Sequence, residues 1–182
     1  MLPLMLSFLL PYALGNNPLC GVAWPNGTET NSHWWQCDDT PVKFTNFRLL
    51  GKTGEPMYPV DLSDQIKIRV DIDDPYFTFQ EPNFRISIKL CSWRVGEMGK
   101  VQNCEWNEIN TSGALNDMDA CGIIPCPLRP GKRTLDMTIE PSNYPAVIPL
   151  LQLDVAYRIQ ILLEDKTYDH TSCMMGQFRI KH

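Results

Sequence analysis

Hydrophobic and polar residues alternate along several short segments of the chain. The clearest is residues 65–73, in which Ile66, Ile68, Val70 and Ile72 alternate with charged residues. A period of two is typical of a β-strand with one buried and one solvated face. The pattern recurs in four further segments, at residues 84–90, 133–139, 157–164 and 174–180.

A sixth strand is predicted at residues 42–50, where the apolar positions change parity between Phe44 and Phe47 and so predict a bulge or a bend. Eight prolines lie between the predicted strands, where a missing N–H does not disrupt a ladder of hydrogen bonds. These prolines are Pro75, Pro82, Pro125, Pro127, Pro130, Pro141, Pro145 and Pro149. No segment shows a sustained helical period. Residues 103–118 are expected to hold at most a turn or two of helix, and the prolines argue against a regular helix at 142–151.

One-sided strands without crossover helices predict an all-β fold of two antiparallel sheets packed face to face. A chain of 182 residues with 43% hydrophobic content is long enough for one well-filled domain. We expect this domain at residues 36–182. Residues 16–35, rich in Asn, Gly, Pro, Ser and Thr, are expected to form a loose leader before it.

Residues 1–15 are uncharged and, apart from Ser7, apolar, and small residues occupy the usual cleavage offsets, which predicts a signal peptide. The alternative is a short membrane anchor, but the apolar run at residues 2–10 is too short for a hydrocarbon core of ~30 Å. Asn26 and Asn110 begin N-glycosylation acceptor triplets, which agree with secretion. We therefore expect the protein in the extracellular space or the lysosomal lumen.

Seven cysteines behind a signal peptide suggest disulfides. Cys37 opens the strand region, and Cys173 lies on the last predicted strand. Four others share one irregular region: Cys91, Cys104, Cys121 and Cys126. A metal site at these four is disfavoured, because Cys-x-x-Cys pairs are missing and secreted thiols oxidise. Cys20 is left over as an unpaired thiol, an intermolecular partner or part of a longer signal sequence.

Charge and histidine content argue against two classes of function. A net charge of −5 gives no support for a nucleic-acid partner. Only His170 of the three histidines is expected to be fixed in the fold, since His33 lies in the leader and His182 ends the chain. Residues 169–172 contain Asp, His and Ser, but side chains adjacent in sequence rarely meet in catalytic geometry, and no Gly-x-Ser-x-Gly motif exists. We expect neither an enzyme nor a cofactor.

Residues 36–182 resemble the ML (lipid-recognition) domain family. The resemblance is carried by Cys37 just before the first strand and Cys173 on the last strand. It is also carried by the sequence CGIIPCPLRPG at 121–131 and a Tyr-Arg-Ile strand at 157–159. The long cysteine-bearing insertion is more similar to the ganglioside activators of the family than to its sterol carriers, although the domain has two fewer cysteines than the activators. The resemblance implies the pairs Cys37–Cys173, Cys91–Cys104 and Cys121–Cys126, with Cys91–Cys121 and Cys104–Cys126 as the alternative.

The resemblance also implies an immunoglobulin-like sandwich whose sheets part to hold a lipid between them. Such a protein would take one glycolipid, sphingolipid or phospholipid from a membrane and present or transfer it. Its partners would be the lipid, a transient membrane surface and, as further candidates, a lipid hydrolase or a receptor. The inward residues expected to line the cavity are Ile66, Ile68, Val70, Ile72, Phe84, Ile86, Ile88, Leu90, Leu135, Met137, Ile139, Tyr157, Ile159, Ile161 and Phe178.

Apolar residues in the loops are candidates for a rim that dips into a membrane. They are Tyr76, Phe77, Phe79, Trp93, Ile123, Ile124, Val147, Ile148, Leu150 and Leu151. The alternative is that they cover the ends of the sandwich. Periodicity alone does not show a cavity and favours a solid core, which would indicate an extracellular protein-binding module of the adhesion or immune-recognition type; only the family resemblance favours the cavity.

Overall fold

The computed structural model describes residues 28–37, 39–94, 105–153 and 155–181. Within these ranges the chain forms ten β-strands, three 3-10 turns and no α-helix. The strands are β1 (His33–Gln36), β2 (Lys43–Leu50), β3 (Val60–Asp61), β4 (Ile66–Asp74), β5 (Phe84–Arg94), β6 (Glu105–Glu108), β7 (Met118–Asp119), β8 (Gly131–Ile139), β9 (Ala156–Asp165) and β10 (His170–Lys181). The predicted all-β class is confirmed. None of the helical turns in the described ranges is long and apolar enough to cross a membrane.

The strands form two sheets. The smaller sheet has the order β2-β4-β8, and all its pairings are antiparallel. The larger sheet has the order β1-β10-β9-β5-β6, with β3 beside β10 and β7 beside β5. Its pairings are antiparallel except for the two-residue contact of β3 with β10. The two-sheet architecture expected from the alternating strands is confirmed.

The six predicted strands correspond to β2, β4, β5, β8, β9 and β10. In β4 the inward side chains of Ile66, Ile68, Val70 and Ile72 are buried and the residues between them are half-exposed, as the period of two predicts. The bulge in β2 is also confirmed, because the register with β4 shifts between Phe44 and Asn46.

Two strands lie where the sequence predicts other structure. Strand β1 falls in the segment expected to be a loose leader, where it pairs with β10 and Trp34 packs against the core. Strand β6 occupies part of the segment expected to hold helical turns, and residues 105–118 contain no helix. Pairing with another strand explains both differences, with β10 for β1 and with β5 for β6. Trp106 of β6, for example, packs edge-on against Trp93 of β5, with ring centroids 5.3 Å apart.

Buried aspartates begin two of the tight turns at one end of the sandwich. Asp74 Oδ1 accepts hydrogen bonds from the backbone N–H groups of Tyr76 and Phe77, both at 3.0 Å. Asp165 Oδ1 accepts from the N–H groups of Thr167 and Tyr168 at 2.7 and 3.2 Å. These bonds satisfy backbone donors that the turns leave unpaired.

Two of the disulfides implied by the family resemblance are present. Cys37 pairs with Cys173, and Cys121 pairs with Cys126, each with Cα atoms 5.3 Å apart. The second pair excludes the alternative connectivity. Cys91 is buried and forms no disulfide within the described ranges.

Several predictions fall outside the described residues. These are the signal peptide at 1–15, the leader up to residue 27, Cys20, Asn26 and the proposed partner of Cys91, which is Cys104.

Candidate functional site

An apolar cavity of about 140 Å³ lies between the two sheets. Among the residues that the structure describes, no charged side chain lines it, and Thr138 and Tyr144 contribute the only side-chain hydroxyls of the lining. The lining residues are Phe47, Leu49, Val60, Leu62, Ile66, Ile68, Ile86, Ile88, Leu90, Leu115, Met118, Ile123, Met137, Thr138, Ile139, Pro141, Tyr144, Val147, Ile148, Leu151, Ile159, Ile161, Phe178 and Ile180.

Strand register places the two facing walls of this cavity. On the smaller sheet, Ile66 pairs with Ile139 and Ile68 pairs with Met137, so that one end of β4 and β8 supplies adjacent apolar side chains. On the larger sheet, β5 and β9 bring Ile88 opposite Ile161. Because alternate side chains of a strand face the same way, each strand contributes residues two apart.

Two loop segments close the cavity at its edges. The connection between β8 and β9 supplies Tyr144, Val147 and Ile148, and the buried hydroxyl of Tyr157 holds the end of this connection. That hydroxyl accepts a hydrogen bond from the N–H of Gln152 at 2.5 Å and donates one to its carbonyl at 2.9 Å.

The second segment precedes β8. Its short 3-10 turn, Ala120–Gly122, begins at Asp119, whose side chain accepts from the N–H of Cys121 at 3.0 Å. Ile123 follows this turn and lines the cavity, and the disulfide between Cys121 and Cys126 closes the loop around it.

Ten of the fifteen predicted cavity residues line the cavity. They are Ile66, Ile68, Ile86, Ile88, Leu90, Met137, Ile139, Ile159, Ile161 and Phe178. The other five are buried but lie outside the lining: Val70, Ile72, Phe84, Leu135 and Tyr157. At the end of the sandwich beyond β4 the space between the sheets is filled, because Phe79 stacks on Phe84 with centroids 5.0 Å apart.

The predicted rim residues separate into distinct groups. Four of them line the cavity: Ile123, Val147, Ile148 and Leu151. Leu150 is adjacent to these and exposes 41% of its surface, whereas Ile124 is buried in the core.

The remaining rim candidates lie elsewhere. Tyr76, Phe77 and Phe79 follow the last residue of β4, whereas the cavity is lined by its first residues. Phe77 stacks instead on His170, with ring centroids 4.5 Å apart. Trp93 is buried against Trp106.

Ten lining residues were not predicted from the sequence: Phe47, Leu49, Val60, Leu62, Leu115, Met118, Thr138, Pro141, Tyr144 and Ile180. Phe47 and Leu49 carried a usable signal, since they alternate in the predicted strand at 42–50. Leu62, Leu115 and Tyr144 lie in connections with no period, and only the folded chain brings them together.

Two side chains within residues 169–172 are in hydrogen-bond contact, although the sequence did not predict it. His170 Nε2 lies 3.2 Å from Ser172 Oγ, because residues two apart on a strand share a face. Ser172 is only 2% exposed, and its hydroxyl is also 3.2 Å from Thr40 Oγ1. The buried hydroxyl belongs to a structural hydrogen-bond network of the filled end of the sandwich.

Within the described ranges, one group of potential metal ligands converges: Glu81, Asp119 and Cys121. The sulfur of Cys121 is held in a disulfide, and both carboxylates are exposed. This arrangement does not indicate a metal site.

Comparisons with known proteins find similarity in structure only. No protein-family model and no curated protein sequence matches the chain. A Niemann-Pick type C2 protein from the Japanese carpenter ant has a TM-score of 0.46 and 11% identity, covering 82% of this chain and 99% of that one. The C-terminal domain of wzt has a TM-score of 0.41 and 7% identity, covering 84% of this chain and 80% of its own. Similarities this distant do not decide a family, so membership of the ML family stays a prediction.

Proposed function

We propose that the protein binds a single lipid, with the apolar part of that lipid held in the cavity between the two sheets. The observation that carries the proposal is the continuous apolar lining, which offers hydrocarbon a dry site and offers polar solutes almost no partners. Recognition of the tail would be permissive, because apolar burial is non-directional.

The size of the cavity supports a ligand that enters it. Leaving about 140 Å³ unfilled costs a sandwich roughly 3 kcal/mol, at about 24 cal/mol per Å³ of cavity. Ordinary cores contain few voids larger than a water molecule. A persistent apolar cavity therefore favours lipid binding over the alternative of a protein-binding module with a solid core.

The same volume indicates that a whole lipid needs more room than the structure shows. Cavities of about 150 Å³ accommodate a molecule such as benzene. Burial of a sixteen-carbon tail contributes on the order of 13 kcal/mol gross, at about 0.8 kcal/mol per methylene. This free energy would drive the sheets or the covering loops apart as the tail enters.

We propose that the protein acts in the extracellular space or the lysosomal lumen, which its two disulfides support. Its cargo would be a glycolipid, sphingolipid or phospholipid that it takes from a membrane and presents or transfers, with a lipid hydrolase or a receptor as a further partner. No catalytic step is part of the proposal.

Filling the cavity tests the proposed function. Ile88 lines the cavity and is half-exposed, so Ile88→Trp should place an indole in the lipid site while the protein still folds. We expect the affinity for a fluorescent fatty acid or phospholipid to fall about tenfold or more, because the tail loses its space.

Lys89→Trp provides the matched control. Lys89 is next to Ile88 on the outer face, where its ammonium forms an exposed ion pair with Glu108 at 2.9 Å. This variant should bind lipid as the unmodified protein does. If Ile88→Trp retains a cooperative thermal transition and unchanged lipid affinity, the cavity is not the binding site.

A further inference from the structure

A second, polar pocket of about 540 Å³ adjoins the apolar cavity. Its walls come from the segment between β3 and β4, from residues 140–142 directly after β8 and from the loop at residues 145–149. Lys52, in the connection between β2 and β3, also lines it. Six of its lining side chains are polar or charged: Lys52, Ser63, Asp64, Gln65, Glu140 and Ser142.

The two compartments meet at shared residues. Leu62, Pro141 and Ile148 line both of them, each belonging to a different wall. A molecule that filled both compartments would have an apolar part between the sheets and a polar part among these side chains. That is the shape of an amphipathic lipid.

The charges of the polar pocket are unequal. Asp64 and Glu140 contribute two carboxylates, and Lys52 contributes one ammonium, so the local formal charge is −1 at neutral pH. Lys52 is exposed and forms no ion pair within the described ranges.

Each carboxylate keeps one oxygen available for a ligand. Asp64 Oδ1 accepts from the backbone N–H of Gln65 at 2.7 Å, and Glu140 Oε1 accepts from the side-chain amide of Gln65. Asp64 Oδ2 and Glu140 Oε2 have no hydrogen-bond partner among the residues that the structure describes. These atoms are acceptors suited to hydroxyl or ammonium donors.

We infer that this polar pocket is the head-group site, and that it selects lipids whose head group donates hydrogen bonds and carries no net negative charge. The inference rests on the proposed function, and it adds the chemistry of the head group. An anionic head group in this pocket would meet two carboxylates, offset by a single ammonium. Its repulsion from the carboxylates would lower the affinity of the lipid. Hydroxyl groups and ammonium groups would instead pair with Asp64 and Glu140.

The test uses lipids with identical tails and three head groups: a neutral hexose, phosphoethanolamine and the anionic phosphoglycerol. The unmodified protein should bind the first two about fivefold or more tightly than the third. In the nearly isosteric double variant Asp64→Asn with Glu140→Gln, this preference should fall to one or below, since the repelling carboxylates are gone and only the Lys52 ammonium remains. Lys52→Met should change the ratio in the opposite direction and strengthen the discrimination.

The matched control removes the same amount of charge at the filled end of the sandwich. Asp73→Asn with Glu81→Gln should leave the preference unchanged, because both residues lie at or beyond the last residues of β4.

The outcomes separate the two proposals. Uptake of all three lipids without preference, a preference for the anionic lipid, or a preference that survives in the double variant would overturn the head-group site and leave the lipid cavity standing. Failure to take up any of the three lipids would overturn the proposed function itself, and the head-group site with it.

Discussion

At the scale of single residues, Asp71 connects all three strands of the smaller sheet on its outer face. Its carboxylate accepts from Thr134 Oγ1 at 2.6 Å on β8. It also accepts from Asn46 Nδ2 at 3.0 Å and Arg48 Nη2 at 3.2 Å on β2. The hydrogen bonds from Thr134 and Asn46, assisted by the charge of Arg48, lower the pKa of Asp71 below its ordinary value.

This lowered pKa predicts a pH-dependent contribution to stability. The ionised form of Asp71 stabilises the folded state above the unfolded pKa near 4, and this stabilisation is lost as pH falls through the folded pKa. Asp71→Asn should therefore lower the free energy of unfolding by about 1 kcal/mol at neutral pH, and the difference should shrink towards zero below about pH 3. Urea unfolding at both pH values measures it.

Asp73→Asn is the control for this prediction. Asp73 shares the outer face of β4, but its carboxylate has no hydrogen-bond or ion-pair partner among the described residues, so its replacement should have a small effect at either pH. A deficit for Asp71→Asn that stayed constant with pH would contradict the assigned role of its charge.

Alternation in the sequence predicts which side chains point inward, but not which of them line a cavity. Ile68 and Ile72 are inward positions of the same strand, β4, and both are buried. Only Ile68 lines the cavity. The difference arises from what lies opposite each residue. Phe79, from a loop, stacks on Phe84 and fills the space at one end of the sandwich, and no local pattern predicts that packing.

At the scale of elements, the 3-10 turn Ile148–Leu150 and the residues after it present two apolar faces. Ile148 and Leu151 line the cavity, while Leu150 and Leu153 expose 41% and 37% of their surfaces. Since this segment is both a wall of the proposed lipid site and an exposed apolar surface, we propose that it contacts the membrane.

Charged substitutions on this segment test membrane contact. Leu150→Asp with Leu153→Asp should reduce binding to lipid vesicles by about fivefold or more in a sedimentation assay, because two apolar contacts with the bilayer are lost. Binding of a lipid monomer should be retained, since neither side chain lines the cavity.

Tyr76→Asp is the matched control at the opposite end of the sandwich. Tyr76 is 71% exposed and was also a candidate from its sequence position. Vesicle binding that depended on Tyr76 and not on the two leucines would place the membrane contact at the filled end of the sandwich.

Five of the long strands could be predicted because a period of two runs through seven or more of their residues, and β2 could be predicted with its bulge because its alternation changes parity. Strands β3 and β7 have two residues each, and β1 and β6 have four, so that no period is measurable in them. They form because another strand offers a pairing edge, as when β1 adds to the edge of β10 at the far end of the sequence. Such pairings depend on the tertiary structure rather than on local sequence.

At the scale of the whole molecule, the two ends of the sandwich are built differently. One end is filled by the stack of Phe77, Phe79, Phe84 and His170, and the disulfide between Cys37 and Cys173 lies near it on β10. This disulfide joins residues 136 apart in sequence, which the chain-entropy model credits with about 5 kcal/mol. The apolar cavity occupies the other end, so the sheets could separate there while the filled end holds them together.

Native mass spectrometry tests the central claim, the binding of one lipid between the sheets, most directly. Protein from a secretory host would be stripped of lipid and incubated with labelled fatty acids and phospholipids. The intact mass of the complex would then be measured, and thermal unfolding would be recorded in parallel. We predict a single bound lipid per chain and a gain in stability of about 2.7 kcal/mol at a free lipid concentration a hundredfold above Kd. A chain that keeps its lipid-free mass and an unchanged unfolding temperature with every lipid offered would contradict the account.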